Sequence, residues 1–214
     1  MDHCGTRVTH LLPDLCKRNP FVAVDGEASL LQAVQRMMAK KSHRVAIEDG
    51  VGGLRDIITQ STVVRFLQEN VNQLEEADKT VSELRLINPK VVTATLEESV
   101  FVAFQRVIES GESGIGVVDK NGELVNNISA SDLKHFGGQD QDAFPLSSMF
   151  LSLDQFFLLK ESAQRPLLSV QSSDSFRTLL NAFVQHSVHR LYVLDGHELK
   201  GVITLRAVLA LFIH

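Results

Sequence analysis

Cysteine is scarce in this sequence, and the motifs of common metal and catalytic sites are absent from it. Only Cys4 and Cys16 occur among the 214 residues, and they do not form a CxxC pair. Two thiols are too few for a disulfide framework or a zinc site, and they fit a reducing compartment. The sequence contains no HExxH motif and no serine in a nucleophile motif. We therefore expect no metal site and no enzymatic activity.

The sequence also lacks a long apolar run and an excess of positive charge. No stretch approaches the roughly 18 apolar residues of a membrane span, and the first residues lack the basic-then-apolar pattern of a secretory signal. The formal net charge is -5, whereas proteins that bind nucleic acids carry a basic surface. We expect a cytoplasmic or nuclear protein that contacts neither membranes nor nucleic acids. An anionic ligand would need a local basic cluster.

What the sequence does contain is an internal repeat with a period of about 70 residues. Three segments share one order of elements: a short strand, a helix, a second strand, a turn, a third strand and a closing helix. These segments are residues 21–70 (repeat a), 87–136 (repeat b) and 165–214 (repeat c). The rest is assigned to an N-terminal extension, 1–20, and to two linkers, 71–86 and 137–164.

Landmark residues keep their position from one repeat to the next. Before the second strand stand His43, Ser113 and His189, which are 70 and 76 residues apart. At the end of the third strand stand Thr59, Ser129 and Thr204, which are 70 and 75 residues apart. A chance periodicity would not keep strand, helix, turn and hydroxyl in this order three times. The pattern predicts a mixed α+β fold built from three similar units.

Local signals place the elements inside each repeat. Branched apolar runs predict first strands at 21–24, 91–94 and 167–170. The helices that follow are predicted to be capped within 25–27, by Thr95 with Glu98, and by Ser173 or Asp174. Hairpin turns are predicted at Asp49-Gly50, Asn121-Gly122 and Asp195-Gly196. Each repeat should end in an amphipathic helix, which in repeat b would carry Leu133 and Phe136.

The repeats resemble CBS domains. The segments KKSHRVAIEDG (40–50), ISASDLKHF (128–136) and HRLYVLDGHELKGVIT (189–204) are similar to those of gamma subunits of AMP-activated and sucrose-nonfermenting-type kinases. The resemblance covers about 150 of the 214 residues, and the paired HR motifs are its most specific part. It implies tandem repeats that associate across their strands as pseudo-symmetric pairs (a Bateman module), with clefts for adenosine ligands. It also implies a non-catalytic energy sensor that assembles with alpha- and beta-type kinase subunits.

The resemblance assigns ribose binding to Asp132. In the family, an aspartate three residues after the hydroxyl that ends the third strand binds the ribose, and here only Ser129 has such an acid. The other two repeats have Thr62 and Ala207 at this position. A carboxylate can accept a hydrogen bond from both ribose hydroxyls, although an acid at a helix N-terminus also has a purely structural explanation. Arg206 is expected to place bulk and charge in the cleft of repeat c.

Phosphate binding is assigned to basic residues beside the second strands. Arg44 and Arg190 open these strands, and guanidinium forks suit phosphate oxygens. An arginine at a strand start can instead pair with a carboxylate. Repeat b has no arginine here and would contribute a hydroxyl and backbone groups. The residues expected to bind AMP, ADP or ATP are Ser129, Asp132, His189, Arg190, Arg44, His43, Ser113 and, near a basic position of the family, Lys160.

One cleft, between repeats b and c, is expected to dominate, with Asp132 on the ribose and Arg190 on the phosphate. Two alternatives remain open. The loss of two ribose acids is compatible with a structural subunit that assembles a kinase complex without binding nucleotide. The second alternative is an enzyme that uses Ser129, Asp132 and His135, but the sequence shows no recognisable activated nucleophile. The glycine-rich segment 111–116 is interpreted as a helix end and a strand start, because no Lys-Ser/Thr follows it.

An odd number of repeats leaves one of them without a partner, since repeats of this kind work in pairs. Only 20 residues precede Phe21, too few for a further repeat. Repeat a is therefore expected to expose an apolar face, formed by residues such as Val45, Ile47, Ile57 and Val64. Such a face favours a homodimer through repeat a, or association with another chain or with a segment upstream of this sequence.

Overall fold

A computed structural model describes residues 21–136, 143–159 and 167–213. Repeat a contains β1 (Ala23–Asp25), α1 (Leu30–Ala39), β2 (Arg44–Glu48), β3 (Leu54–Thr59) and α2 (Gln60–Glu69). Repeat b contains β4 (Thr93–Thr95), α3 (Val100–Ser110), β5 (Gly114–Val118), β6 (Leu124–Ser129) and a 3-10 helix (Ala130–His135). Repeat c contains β7 (Ser169–Val170), α5 (Phe176–His186), β8 (Arg190–Asp195), β9 (Glu198–Thr204) and α6 (Leu205–Ala210). Between the repeats lie 3-10 helices at Val71–Gln73 and Leu146–Phe150, and helix α4 (Leu153–Leu159).

Each repeat forms a three-stranded sheet with its second strand in the middle. The first strand runs parallel to the second, and in repeats a and b the third runs antiparallel to it. The first strands start two residues later than predicted, since pairing begins at Ala23, Thr93 and Ser169. The predicted hairpin turns are confirmed: Gly50, Gly122 and Gly196 have φ values of 79°, 81° and 64°. Glycine adopts this left-handed conformation without steric cost.

The helix caps lie at other residues than those predicted. The N-caps of α1, α3 and α5 are Ser29, Ser99 and Ser175, and each side chain accepts a hydrogen bond from a backbone N–H three residues later. Thr95 is not a cap, although its N–H donates to Glu98 Oε2 at 2.8 Å. The three serines are 70 and 76 residues apart, the spacing of the other landmarks. The spacing of the repeat therefore identifies these three serines as equivalent capping residues.

The closing helix predicted for repeat b is only a six-residue 3-10 helix, Ala130–His135. Phe136 lies beyond it, and two glycines follow in the sequence, which disfavours an α-helix. Helix α4 instead helps to fill the core of repeat b. Leu153, Phe156 and Phe157 of this helix are buried there.

The described residues divide into two compact units. Unit 1 takes in repeat a and the linker up to Leu86, together with Asp174–Arg190 and the segment from Thr204 onward. Unit 2 consists of Ile87–Ser173 and Leu191–Ile203. Repeat c therefore contributes its helices to unit 1 and most of its second and third strands to unit 2. None of the described helices is long and apolar enough to cross a membrane.

In unit 1, helix α2 packs against both α5 and α6. Gln68 Nε2 donates a hydrogen bond to Asn181 Oδ1 across the α2–α5 contact, at 3.0 Å. The linker after α2 supplies carbonyls to the start of α5: Phe176 N–H donates to Lys79 O and Arg177 N–H to Ala77 O, both at 2.9 Å. Helix N-termini leave such N–H groups without intrahelical partners. The linker is thus part of the fold of unit 1.

Unit 2 has two apolar clusters, one on each side of the sheet of repeat b. The inner cluster joins that sheet to α3 and α4 and contains Ala94, Val100, Ala103, Phe104, Val107, Ile115, Val117, Ile128, Phe136, Leu153, Phe156 and Phe157. The outer cluster joins the sheets of repeats b and c and contains Val91, Val118, Leu124, Leu167, Tyr192, Leu194, Leu199 and Val202. Tyr192, the single tyrosine of the chain, donates from its hydroxyl to Asn127 Oδ1 at 2.7 Å in this contact. The predicted pairing of repeats across their strands is confirmed for b and c.

The apolar face predicted for repeat a is partly wrong. Val45 and Val64 are 0% and 1% exposed, because they belong to the inner side of the sheet and its helix packing. Ile47 is half-buried, and Ile57 is 46% exposed. Strand side chains alternate between the two faces, so residues 45 and 57 cannot belong to the same side. The register pairs Ile57 with Ala46 instead.

Candidate functional site

In each repeat the landmark residues meet at the same edge of the sheet. The N–H group after the third strand donates to the carbonyl oxygen before the second strand. These hydrogen bonds join Gln60 to His43 (3.2 Å), Ala130 to Ser113 (2.9 Å) and Leu205 to His189 (3.2 Å). We name these three places the strand-end sites of repeats a, b and c. They hold His43, Arg44 and Thr59; Ser113, Gly114, Ser129 and Asp132; and His189, Arg190 and Thr204.

The strand-end site of repeat b contains the carboxylate of Asp132. Asp132 Oδ2 accepts hydrogen bonds from the backbone N–H of Ser129 at 2.8 Å and from its hydroxyl at 2.9 Å. The Ser129 hydroxyl lies 2.8 Å from that of Ser131. Asp132 is half-buried, so its carboxylate is held in one place beside two hydroxyls. Asp132 therefore caps the start of the 3-10 helix, and this capping contact fixes its carboxylate at the end of the sheet.

Ser131 was missed by the sequence reasoning. Its signal was the run Ser129-Ala130-Ser131-Asp132, which places two hydroxyls and an acid within four residues. The hydroxyl of Ser131 reaches that of Ser129 and extends the polar group beside Asp132. The site of repeat b is therefore richer in hydrogen-bonding groups than the motif alone suggested.

The strand-end sites of repeats a and c carry no acid at the position of Asp132. In repeat a, the hydroxyls of Thr59 and Thr62 lie 2.9 Å apart, and Thr59 Oγ1 accepts from the N–H of Thr62. In repeat c, Thr204 Oγ1 accepts from the N–H of Ala207 at 3.3 Å. Both threonines act as ordinary helix N-caps. These two sites offer hydroxyls and cations, but no carboxylate for a ribose.

The two arginines predicted for phosphate occupy equivalent strand positions. Arg44 is exposed at the start of β2, where it pairs in the strand register with Thr59. Arg190 starts β8 and is half-buried. His43 and His189, one residue earlier, are both exposed. The exposed guanidinium of Arg44 is accessible to an anion in repeat a, and the half-buried Arg190 is the more constrained of the two arginines.

Repeat b has Gly114 where the other repeats have arginine, and the packing explains why. A Cβ atom on Gly114 would lie 2.9 Å from the carbonyl oxygen of Ile128 and 2.9 Å from Cβ of Ser129. Real Cβ atoms essentially never approach other atoms so closely, and one of these two is backbone. The close contact of β5 with β6 therefore requires glycine, and it brings Ser113 next to Ser129.

The predicted residues fall in both compact units. Ser113, Ser129 and Asp132 belong to unit 2, whereas His43, Arg44, His189 and Arg190 belong to unit 1. Lys160 lies outside the described residues. The prediction that Asp132 and Arg190 hold the same nucleotide stays a prediction.

Arg206, expected in the cleft of repeat c, also contacts repeat a. Its Nη2 atom lies 3.4 Å from the carbonyl oxygen of Met38, near the end of α1 in repeat a. A cation near a helix C-terminus interacts favourably with the helix dipole. Arg206 therefore has a structural contact within unit 1.

Two carboxyl groups with a shifted pKa lie near the hairpin turns: Asp49 follows β2, and Asp195 is the last residue of β8. Hydrogen bonds from the backbone N–H groups of Gly53 and Val51 hold the pKa of Asp49 below its ordinary value. The backbone N–H and the hydroxyl of Ser172 do the same for the pKa of Asp195. These acids stabilise the turn after the second strand and the start of the third repeat.

An open groove of about 790 Å³ lies between β1 and α1 in repeat a. Its lining includes the acids Asp25, Glu27 and Glu48 and a single arginine, Arg36. Three carboxylates around one cation disfavour a phosphate group. The groove contains no residue of the strand-end sites.

Three segments of the chain match the model of the CBS domain: residues 14–69, 81–137 and 160–214. Among curated proteins, the chain is 27% identical to an Arabidopsis thaliana protein named "SNF1-related protein kinase regulatory subunit gamma-1-like", over 91% of this chain and 46% of the relative. It is 23% identical to "Protein SDS23" of Meyerozyma guilliermondii, over 92% of this chain and 39% of the relative. It is also 23% identical to the human "5'-AMP-activated protein kinase subunit gamma-3", over 89% of this chain and 39% of the relative. The chain thus spans less than half the length of these relatives.

A solved structure with the same fold is that of protein MJ1225 from Methanocaldococcus jannaschii. Its TM-score is 0.72 at 19% identity, and the match covers 97% of this chain and 78% of the other. At this identity the likeness concerns the fold. The family match covers most of the chain and coincides with three sheets of the same topology. The chain belongs to the CBS domain family, as a tandem array of three repeats.

Proposed function

We propose that this chain is a non-catalytic regulatory subunit that binds AMP, ADP or ATP at its strand-end sites and regulates a partner protein kinase. The strand-end site of repeat b would hold the ribose through Asp132. The similarity to gamma subunits named for SNF1-related and AMP-activated kinases supports the kinase partner, with alpha- and beta-type subunits. Cytoplasm or nucleus is the expected location.

The observation that carries the proposal is the fixed carboxylate beside hydroxyls at the end of β6. Asp132 is held by two hydrogen bonds from Ser129, so a ligand would meet a preorganised acceptor rather than a mobile side chain. Preorganisation lowers the entropy cost of binding. A carboxylate has several lone pairs, and one oxygen can cap the helix while the group also accepts from vicinal hydroxyls.

The first experiment measures the affinity for AMP by calorimetry in the wild-type chain and in Asp132→Asn. Asparagine keeps an oxygen that can accept the hydrogen bonds of Ser129, but it loses the charge. We expect AMP binding to weaken about tenfold, as for the loss of a charge-assisted hydrogen bond. Thr62→Ala and Ala207→Asp should change the affinity much less.

The matched control is Asp154→Asn, which removes an exposed acid from the first turn of α4 in the same unit. This variant should bind AMP like the wild type. Equal affinity of the wild type and Asp132→Asn would contradict the ribose assignment.

A structural subunit that assembles a kinase complex without nucleotide is the second candidate. Two of the three strand-end sites lack an acid, and Asp132 has a capping role of its own. A thermal-shift screen with AMP, ADP and ATP separates the candidates. A ligand at about 100 times its dissociation constant stabilises the folded chain by about 2.7 kcal/mol. Absence of any shift, with capture of kinase alpha and beta subunits intact, would favour the second candidate.

A further inference from the structure

We propose that the groove between β1 and α1 of repeat a binds a small zwitterion, an α-amino acid whose carboxylate pairs with Arg36 and whose ammonium group meets the acids of the groove. The groove has a volume of about 790 Å³, which lies within the usual size range of small-molecule sites. It contains no residue of the strand-end sites, so the proposal is independent of nucleotide binding. Its template lies within the chain, at the equivalent place in repeat b.

In repeat b the equivalent place is closed by an arginine and a glutamate. Arg106 forms a bidentate ion pair with Glu98: Nη1 donates to Oε2 at 2.9 Å, and Nη2 donates to Oε1. Nη1 also donates to the backbone carbonyl oxygen of Thr93 on β4. Arg106 and Glu98 are both half-buried. The ion pair therefore occupies the space between β4 and α3.

Repeat a has the arginine of this pair but not the glutamate. Counted from the N-caps of α1 and α3, Arg36 stands at the position of Arg106, and Ala28 stands at that of Glu98. Within the described residues, the Arg36 guanidinium forms no hydrogen bond and no ion pair. Its side chain is exposed and lines the groove. The small side chain of Ala28 thus leaves open the place that Glu98 fills in repeat b.

The edge of β1 offers a second group that is already paired in repeat b. In the parallel ladder, the carbonyl oxygen of Val22 accepts from the N–H of Ala46 at 2.8 Å, so the next carbonyl, that of Ala23, points away from β2. Ala23 is at the position of Thr93, whose carbonyl accepts from Arg106. An edge strand presents such groups to an added partner. A donor in the groove can therefore bind to the carbonyl oxygen of Ala23.

Acids line the groove on the side of β1 and β2. They are Asp25, Glu27 and Glu48. The register places Thr95 and Val118 of repeat b at the positions of Asp25 and Glu48. Compared with repeat b, repeat a has therefore lost the carboxylate that binds the arginine and has gained two carboxylates elsewhere in the groove.

A ligand with both charges suits this arrangement best. A carboxylate binds Arg36 through two parallel N–H···O bonds, as in repeat b. A carboxylate alone would be repelled by the three acids, although Arg55 Nη1 lies near Gly26 at this end of the groove. An ammonium group offsets this repulsion and can donate to the carbonyl oxygen of Ala23. An α-amino acid carries both groups on the same carbon atom.

The rest of the lining suggests which amino acid to test. Val24, Ala28 and Ala39 contribute apolar surface to the groove. Small-molecule sites combine apolar surface with a few polar groups that fix the orientation of the ligand. We therefore choose leucine, whose apolar side chain can lie against this surface, as the probe.

The experiment titrates the purified chain with three probes in ligand-detected NMR. The probes are leucine, isocaproate, which is leucine without the ammonium group, and isoamylamine, which is leucine without the carboxylate. We expect saturable binding of leucine. The other two should each bind at least about tenfold more weakly, as for the loss of a charge-assisted hydrogen bond. Equal affinities for leucine and isocaproate would overturn the assignment of a zwitterion.

Three substitutions test whether leucine binds in the groove. Arg36→Gln removes the guanidinium, and Ala28→Glu supplies the carboxylate that Glu98 supplies in repeat b, so that Arg36 is paired within the chain. Each should weaken leucine binding at least about tenfold. Glu48→Gln should weaken the binding of leucine but not that of isocaproate, because only leucine carries an ammonium group.

Arg65→Gln is the matched control, because Arg65 is an exposed arginine of α2 in the same repeat. It should leave leucine binding unchanged. The thermal transition of each variant verifies that it is folded. Absence of saturable leucine binding by the wild-type chain would overturn the proposal. So would leucine binding that neither Arg36→Gln nor Ala28→Glu weakens.

Discussion

Arg190 and Arg44 occupy equivalent strand positions, but only Arg190 is half-buried. If Arg190 binds phosphate, Arg190→Gln should weaken AMP about tenfold and leave adenosine within about twofold, because only the phosphorylated ligand uses the guanidinium. Added salt should weaken AMP more than adenosine. Competition binding with both ligands measures the two losses. Arg65→Gln, on the exposed side of α2, is the control. Equal losses for AMP and adenosine would make Arg190 a structural residue.

Single residues also show what the sequence could and could not reveal about the site. The hydroxyls that end the third strands were predicted at Thr59, Ser129 and Thr204, and the strands end at those residues. Spacing alone was sufficient there, because the hydroxyl recurs in every repeat. The steric need for Gly114 could not be predicted, since it depends on how closely β5 approaches β6.

Among the elements, β9 has a neighbour that the repeat pattern did not predict. Asn88, in the segment before β4, pairs with Val202 through two backbone hydrogen bonds of 3.0 and 2.9 Å. Gly201, next to Val202, lies under this segment. A Cβ on Gly201 would lie 2.5 Å from the carbonyl oxygen of Asn88. This contact joins parts of the chain that are distant in sequence, and no local sequence pattern predicts it.

Gly201→Ala should therefore destabilise the chain by about 1 to 3 kcal/mol, the usual cost of forcing extra atoms into a packed site. Gly111→Ala is the comparison, because Gly111 has a φ of 69° and open space around its Cβ position. Its cost should be conformational only, about 1 to 2 kcal/mol, because an L-residue is strained in the left-handed conformation. Denaturant unfolding measures both values. A smaller loss for Gly201→Ala than for Gly111→Ala would mean that Asn88 moves away from β9 without cost.

The elements of repeat b show the limit of reasoning from a repeat. The pattern assigned a closing helix to every repeat, and repeats a and c have one, α2 and α6. In repeat b the sequence turns to glycine after Phe136, and α4 fills the core from a segment that was assigned to a linker. The repeat predicts where a core needs a helix, but not which part of the chain supplies it.

At the scale of the whole molecule, repeat c belongs to both compact units. Helix α5 packs in unit 1, and Leu191 to Asp195 of β8 lie in unit 2, although α5 and β8 are consecutive elements of one repeat. The family match and the internal repeat indicate three similar modules, whereas the packing divides the chain into two units. Each compact unit would lose buried contacts if its own part of repeat c unfolded. We therefore expect the two units to unfold together.

Two matched substitutions test this coupling: Leu180→Ala on α5 in unit 1 and Leu191→Ala on β8 in unit 2, both fully buried at 0% exposure. Each should cost about 2 to 5 kcal/mol and lower the Tm by roughly 2 to 4 °C per kcal/mol. Calorimetry should show a single transition in the wild type and in both variants, with equal calorimetric and van't Hoff enthalpies. Leu31→Ala, at a position of α1 that is 48% exposed, should move the Tm far less. Two transitions, of which each substitution shifts only one, would show that the units unfold independently and that repeat c does not couple them.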